Sequence, residues 1–247
     1  DTSYLVVCTT QGFQVLDATG RRLVHFFMLS SVMPAADDAL TFCRGVTSVP
    51  GANRILVGTS AGDILGFDVR REAFTKSLTA KDHTSSICCL HATAEYVASG
   101  DSAGRIVVWG AASMTKHCAF EGAGYPCTCV AVRDDTVVAA YASGHVRIFR
   151  IGGKRLFCEI AAHARCVTAM DLHPTKGTFV TVGEDAVLNV WSLPDGESKG
   201  SSEVSLDICA PVPDRLLTGV QFGRGGGGDT VLAATYDTHS VQYWTKA

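Results

Sequence analysis

His163, Thr181 and Asp185 lie close together in the stretch AHARCVTAMDLHPTKGTFVTVGEDAVLNVWSL. Their types could carry nucleophilic catalysis, with a hydroxyl to attack, an imidazole to take its proton and a carboxylate to hold the ring. Ten cysteines offer a second chemistry: Cys8, Cys43, Cys88, Cys89, Cys118, Cys127, Cys129, Cys158, Cys166 and Cys209. Their spacing favours neither zinc nor a disulfide framework. There is no C-x-x-C pair, only the adjacent Cys88-Cys89 and the alternate Cys127-Thr128-Cys129. Most sit in apolar runs such as SICCL, CTCVAV and ARCVTAM, where a free thiol behaves as a small buried hydrophobe. Reduced thiols in such a chain suit the cytosol. The stretch GRGGGGD could suggest a phosphate loop, but no helix pattern follows it. The acidic pairs Asp37-Asp38 and Asp134-Asp135 and the basic pairs Arg21-Arg22 and Arg70-Arg71 read as solvated turns; a calcium site needs more oxygen ligands than either acidic pair supplies. Neither a metal nor a cofactor is expected.

Composition narrows the classes further. Hydrophobic residues make up 47% of the 247 positions and charged ones 18%, enough apolar surface for a large core and too little polarity for disorder. The formal charge of −3 and the lack of a Lys/Arg stripe argue against a nucleic-acid footprint. No apolar run approaches the roughly 20 residues of a membrane helix. The opening DTSYLVVCTT does not read as a signal peptide.

The elements that must position these residues come in repeats. Six segments share a short apolar run, a small polar turn and an alternating run that closes on a large apolar residue: LVVCTTQGFQVLD, ILVGTSAGDILGFD, VASGDSAGRIVVWG, VAAYASGHVRIFR, VTVGEDAVLNVW and LAATYDTHSVQYW. The closing residues are Leu16, Phe67, Trp109, Phe149, Trp191 and Trp244, and all three tryptophans of the chain are among them. Three of the five spacings between them fall in or next to the roughly 40–45 residues of a four-stranded propeller blade. The two longer ones contain insertions, SSVMPAADDAL in the first and DGESKGSSE with RGGGG in the last. No helical period is sustained; Val, Ile, Thr and Phe alternate in short bursts between Gly, Asp and Asn, as many short strands would. The chain therefore reads as all-β, a single propeller domain over 1–247 with units near 1–30, 42–80, 83–121, 125–160, 163–207 and 215–247.

The fifth segment resembles a repeat of the WD family, whose internal network links a His preceding a blade, a Ser/Thr on its second strand, an Asp in the tight turn and the closing Trp. The resemblance assigns these parts to His163, Thr181, Asp185 and Trp191, a structural set rather than a catalytic one. Such a buried set is favourable only when every member is satisfied. In the third segment it picks out His83, Ser99 and Trp109, with Ala103 where the Asp is expected, so Ala103→Asp should be neutral or stabilising. The second segment keeps Phe67-Asp68 as its closing pair, the fourth has Phe149 with Ala139 and Ser143, and the sixth has Trp244 alone. The first segment opens at Tyr4-Leu5-Val6-Val7, which reads as a second strand, and the last stops at Trp244 before a fourth. In this family an N-terminal segment commonly closes the last blade. The expectation is thus a longer natural protein with seven blades, about 80–90 upstream residues supplying the rest.

What the resemblance implies for function is a non-enzymatic scaffold for protein–protein contacts in a multi-subunit assembly, cytoplasmic, with a cytoskeletal or ciliary setting. The competing readings are a phosphoinositide or nucleic-acid binder, which the near-neutral charge disfavours, and a propeller enzyme. Against the enzyme, the loops carry mostly small residues such as Ser60, Ala61, Ser102, Ala142 and Ser143. Tyr125, Tyr141 and Tyr236 fall in loops, and tyrosines there make good interface anchors. Arg165 lies two residues after His163, and Glu184 one before Asp185. These five, Tyr125, Tyr141, Arg165, Glu184 and Tyr236, are expected to be exposed on one face as the protein-binding surface.

Overall fold

The computed structural model describes residues 3–32, 42–194, 203–223 and 230–245. Asp37-Asp38 and most of the inserted segments, including the glycine-rich run after Gly223, lie outside these. The described residues form six antiparallel sheets, each ordered along the chain. The first holds β1 (Tyr4–Thr9), β2 (Gly12–Asp17) and β3 (Leu23–Met28), and the second β4 (Cys43–Val49), β5 (Arg54–Thr59), β6 (Asp63–Arg70) and β7 (Ala73–Lys81). The third holds β8 (Ile87–Ala92), β9 (Tyr96–Asp101), β10 (Ile106–Gly110) and β11 (Lys116–Phe120). The fourth holds β12 (Cys127–Arg133), β13 (Thr136–Tyr141), β14 (His145–Arg150) and β15 (Arg155–Ala161). The fifth holds β16 (Val167–Leu172), β17 (Thr178–Gly183), β18 (Val187–Ser192) and β19 (Ser205–Pro211), and the sixth β20 (Leu217–Phe222), β21 (Thr230–Thr235) and β22 (Val241–Thr245). This is a WD-repeat β-propeller fold. The chain divides into two compact units, Asp1–Val138 with Phe149–Leu156, and Ala139–Ile148 with Phe157–Ala247.

In the first unit, no sheet can bury both of its faces alone, so the core forms between sheets. Phe67, which closes β6, meets Phe13 and Phe27 of the first sheet edge-on at 4.8 and 4.7 Å between ring centroids. Trp109, closing β10, is buried with Val49, Leu56 and Ile64 of the second sheet. Phe149 stacks on Phe120 of the third at 4.4 Å. Burying each such ring contributes about 1.5–3 kcal/mol. In the second unit, Trp244 packs into the cluster of Val180, Val182 and Leu188 with Leu217, Phe222 and Val231. The pairing register shifts just before the closing residue in four sheets, at Val15/Leu16, Gly66/Phe67, Val108/Trp109 and Val190/Trp191. A bulge there bends the strand and adds local twist.

Two tight turns press against the loop that opens a later repeat. Gly62, between β5 and β6, has φ +85°, and a Cβ on it would lie 2.6 Å from the carbonyl oxygen of His83. Gly144, between β13 and β14, has the same φ, and its Cβ would lie 2.3 Å from the carbonyl oxygen of His163. Both the left-handed backbone and the close approach require glycine.

Candidate functional site

The fifth repeat places its polar residues on three elements. His163 sits in the loop before β16, where its backbone N–H donates to the Gly144 carbonyl. Its Nδ1 lies 2.9 Å from Asp185 Oδ1, and its Nε2 lies 2.8 Å from Thr181 Oγ1. The Trp191 indole N–H donates to the same Thr181 oxygen at 3.0 Å, and the Ala164 amide donates to Asp185 Oδ2 at 2.9 Å. Thr181 ends up on β17 opposite Asn189 of β18, fully buried, and the His163 side chain is fully buried with it. One arrangement of donors satisfies every member: indole N–H to hydroxyl, hydroxyl to Nε2 and Nδ1–H to carboxylate. A hydroxyl that accepts from an indole and is sealed from solvent has no open side for a substrate, so this trio works as a clamp.

The third repeat builds the same clamp from a different acid. His83 Nε2 lies 2.7 Å from Ser99 Oγ, and Trp109 donates its indole N–H to Ser99 at 2.9 Å. Nδ1 of His83 lies 2.7 Å from Asp101 Oδ2, and the other Asp101 oxygen accepts the amides of Ala103 and Arg105 at 3.0 and 2.9 Å. The expectation of a gap at Ala103 is therefore corrected: Asp101, two residues earlier, at the end of β9, supplies the carboxylate. In the fifth repeat that strand-end position is Gly183, where a Cβ would lie 2.8 Å from His163 Nδ1 and 2.9 Å from Asp185 Oδ1. The two repeats fill one space by alternate routes, either acid at the strand end and alanine in the turn, or glycine at the strand end and acid in the turn. The strand-end acid was legible in SGDSAGR, but the motif's usual spacing directs attention past it. Burial alone would raise the pKa of Asp101; its bonds to His83 and to the two amides outweigh burial and hold it below the usual aspartate value.

The closing Asp68 is a further polar residue with a job. It accepts from Arg54 Nε at 2.8 Å and from Ser77 Oγ at 3.0 Å, and Arg54 lowers its pKa.

Of the candidate contact residues, Tyr125, Arg165, Glu184 and Tyr236 are exposed, with Tyr125 and Tyr236 at 53% and 67%. Tyr141 is not, and its expected role is corrected. It is 2% exposed, the last residue of a β13 strand buried at all six positions, with the Arg147 guanidinium 5.3 Å from its ring centre. The reason is local. This repeat has no histidine in the loop before its inner strand, which reads EGAGYP, and a large ring takes the strand-end position that Asp101 takes in the third repeat. Tyr125 belongs to the first unit, and the other three to the second. In the second unit the Tyr236 amide donates to the carbonyl of Leu216, itself 40% exposed, and the Glu184 amide to that of Cys166.

No three His, Cys, Asp or Glu side chains among the described residues are grouped to hold a metal ion. None of the ten cysteines is joined in a disulfide. No described helix is long and apolar enough to cross a membrane.

A family model, WDR54, matches residues 2–246. The chain belongs to the WDR54 family. The chain is 29% identical to WD repeat domain 54 of Rattus norvegicus, over 96% of this chain and 73% of that protein. To WD repeat-containing protein 54 of Homo sapiens it is 26% identical over 98% and 74%. Among solved structures it resembles a chain of the mitotic checkpoint complex, with a TM-score of 0.78 at 17% identity, over 98% of this chain and 74% of that one. It also resembles the computationally designed Ika8 protein, with a TM-score of 0.73 at 19% identity, over 98% and 68%. These two likenesses show the fold. The clamps around His83 and His163 are thus those of a WDR54-family protein, which carries the WD-repeat fold suited to protein–protein interaction.

Proposed function

We propose that this WDR54-family protein is a non-enzymatic scaffold that docks other proteins through exposed loop residues, in a multi-subunit assembly of the cytoplasm with a cytoskeletal or ciliary setting. The observation that carries the reading is a division of labour. His83 bonds to Asp101 and Ser99 in the first unit, and His163 to Asp185 and Thr181 in the second. Arg165, Glu184 and Tyr236 stand exposed beside the same loops of the second unit, as does Tyr125 in the first. Residues of catalytic type are thus committed to structure, and a tyrosine, an arginine and apolar Leu216 face solvent, a composition suited to an interface core. A relative at 24% identity over 59% of this chain is named p21-activated protein kinase-interacting protein 1-like, of Xenopus laevis, and that name describes protein binding.

The test is affinity capture from a cell extract, with partners identified by mass spectrometry for the unaltered protein and for Arg165→Ala/Tyr236→Ala. The reading expects the double substitution to lose specific partners while the melting temperature stays unchanged. Equal loss of folding and capture would assign these residues to structure. Capture insensitive to both, or turnover of a substrate by the pure protein, would refute the reading.

A further inference from the structure

Two thiols meet where β8 passes β12. Cys89 Sγ lies 3.6 Å from Cys127 Sγ and 3.6 Å from the Cys127 carbonyl oxygen, and both residues belong to the first unit. The space they share is kept open by Gly100, which pairs with Cys89 across the third sheet. A Cβ there would lie 2.5 Å from Cys127 Sγ and 2.9 Å from Cys89 Sγ. The matching seam one repeat earlier is apolar: a Cβ on Gly58 would lie 2.3 Å from Ile87 Cγ2. A glycine thus lines both of these seams, and the later one is filled with a pair of sulfurs. Cys127 is fully buried and Cys89 partly buried.

We infer that Cys89 and Cys127 are an oxidisable dithiol, a modification site for a peroxide oxidant, whose disulfide staples β8 to β12. The chemistry balances with hydrogen peroxide. The Cys89 thiolate attacks the peroxide, the O–O bond breaks, and Cys89 becomes a sulfenic acid as one water leaves. The Cys127 sulfur then attacks Cys89 sulfur, the S–O bond breaks, and the expelled hydroxide leaves as a second water with the Cys127 proton. Two electrons pass from the two sulfurs to the peroxide. Closing the contact to the roughly 2.05 Å of a disulfide joins the two strands through a bond that a thiol reductant can reopen. The hydrogen bond shared with Cys127, together with burial, pushes the Cys89 thiol well above the ordinary range. The first step is therefore slow at neutral pH and quickens as the medium becomes alkaline.

The experiment treats the native protein with hydrogen peroxide, blocks remaining thiols with N-ethylmaleimide under denaturing conditions, and maps tryptic peptides without reduction. Exposed Cys209 is the internal sign that oxidant was present. The expected product joins the peptide 82–105 to the peptide 117–133, two hydrogen atoms lighter than their sum. Fragmentation places the bond between Cys89 and Cys127, dithiothreitol reverses it, and Cys88→Ser leaves it intact. Cys89→Ser and Cys127→Ser each abolish it. The unaltered protein alone decides the matter should either variant fold poorly. Oxidised Cys209 with Cys89 and Cys127 still alkylated would overturn the inference, as would a link from Cys88, Cys118 or Cys129 instead.

Discussion

At the scale of residues, the two histidine clamps set the terms. Asp185→Ala leaves His163 Nδ1 and the Ala164 amide without their acceptor, and Asp101→Ala does the same to His83 and two amides. Each loss should cost about 1–3 kcal/mol in chemical denaturation. Ala103→Asp should bring no gain, because a second carboxylate would crowd the one that His83 already holds. If the alternate routes are real, Gly183→Asp in the Asp185→Ala background should recover part of the lost stability; a further loss would show that the two positions are not exchangeable. Acid should expose Asp101 in particular. Its folded pKa is depressed, so its contribution is complete above the unfolded value near 3.9 and disappears as pH falls toward the lower folded value. The stability gap between the protein and Asp101→Asn should accordingly be constant at neutral pH and narrow below about pH 4; a gap that does not narrow would mean that the charge of Asp101 is irrelevant. The clamp of the fifth repeat was legible in the sequence because all four members stand at the family spacing. That of the third was half legible, since a short turn lets two positions reach one imidazole and spacing alone cannot say which does. Tyr141 was misread as a loop residue; it ends β13, at the strand-end position where the third repeat carries buried Asp101.

At the scale of elements, the strands were legible from alternation and turns, and their connections to neighbouring sheets were not. His91, fifth on β8, accepts the Val132 amide of β12 at 3.2 Å. Asp171, fifth on β16, accepts the Phe222 amide of β20 at 2.8 Å. The same position in two repeats thus ties one inner strand to the next, by residues with nothing in common but an acceptor atom, so no sequence motif marks it. Asp171→Ala should cost about 1–3 kcal/mol, and hydrogen exchange at the Phe222 amide should quicken; unchanged exchange there would dismiss the tie. The turns make a sharper case. Gly144→Ala forces a left-handed alanine against the His163 carbonyl and should cost about 1–3 kcal/mol or more. Gly124, with φ +83° and nothing within 4 Å of its Cβ position, carries the backbone strain without the collision, so Gly124→Ala should cost distinctly less. Equal effects in thermal melts would assign the whole penalty to φ.

At the scale of the molecule, hydrophobic burial is distributed among seams within each unit, closed by Phe67, Trp109 and Phe149 in the first and by Trp244 in the second. Sequence reading found those rings by their phase. It could not find which partners they meet, since those lie a repeat away. The proposed docking surface should behave as a separable property: Arg165→Ala/Tyr236→Ala should change partner capture and leave the melting curve alone, whereas Asp185→Ala should shift the curve.

The contact of Gly144 with the carbonyl of His163, and of Gly62 with that of His83, bears on how such a chain can be inherited. A turn in one repeat is shaped by the backbone that opens its successor. A single repeat copied or exchanged whole would carry a turn fitted to a neighbour it no longer has. The heritable module is the junction, running from the tight turn of one sheet to the clamp of the next, and successful duplications or grafts should have their breakpoints inside sheets rather than between them.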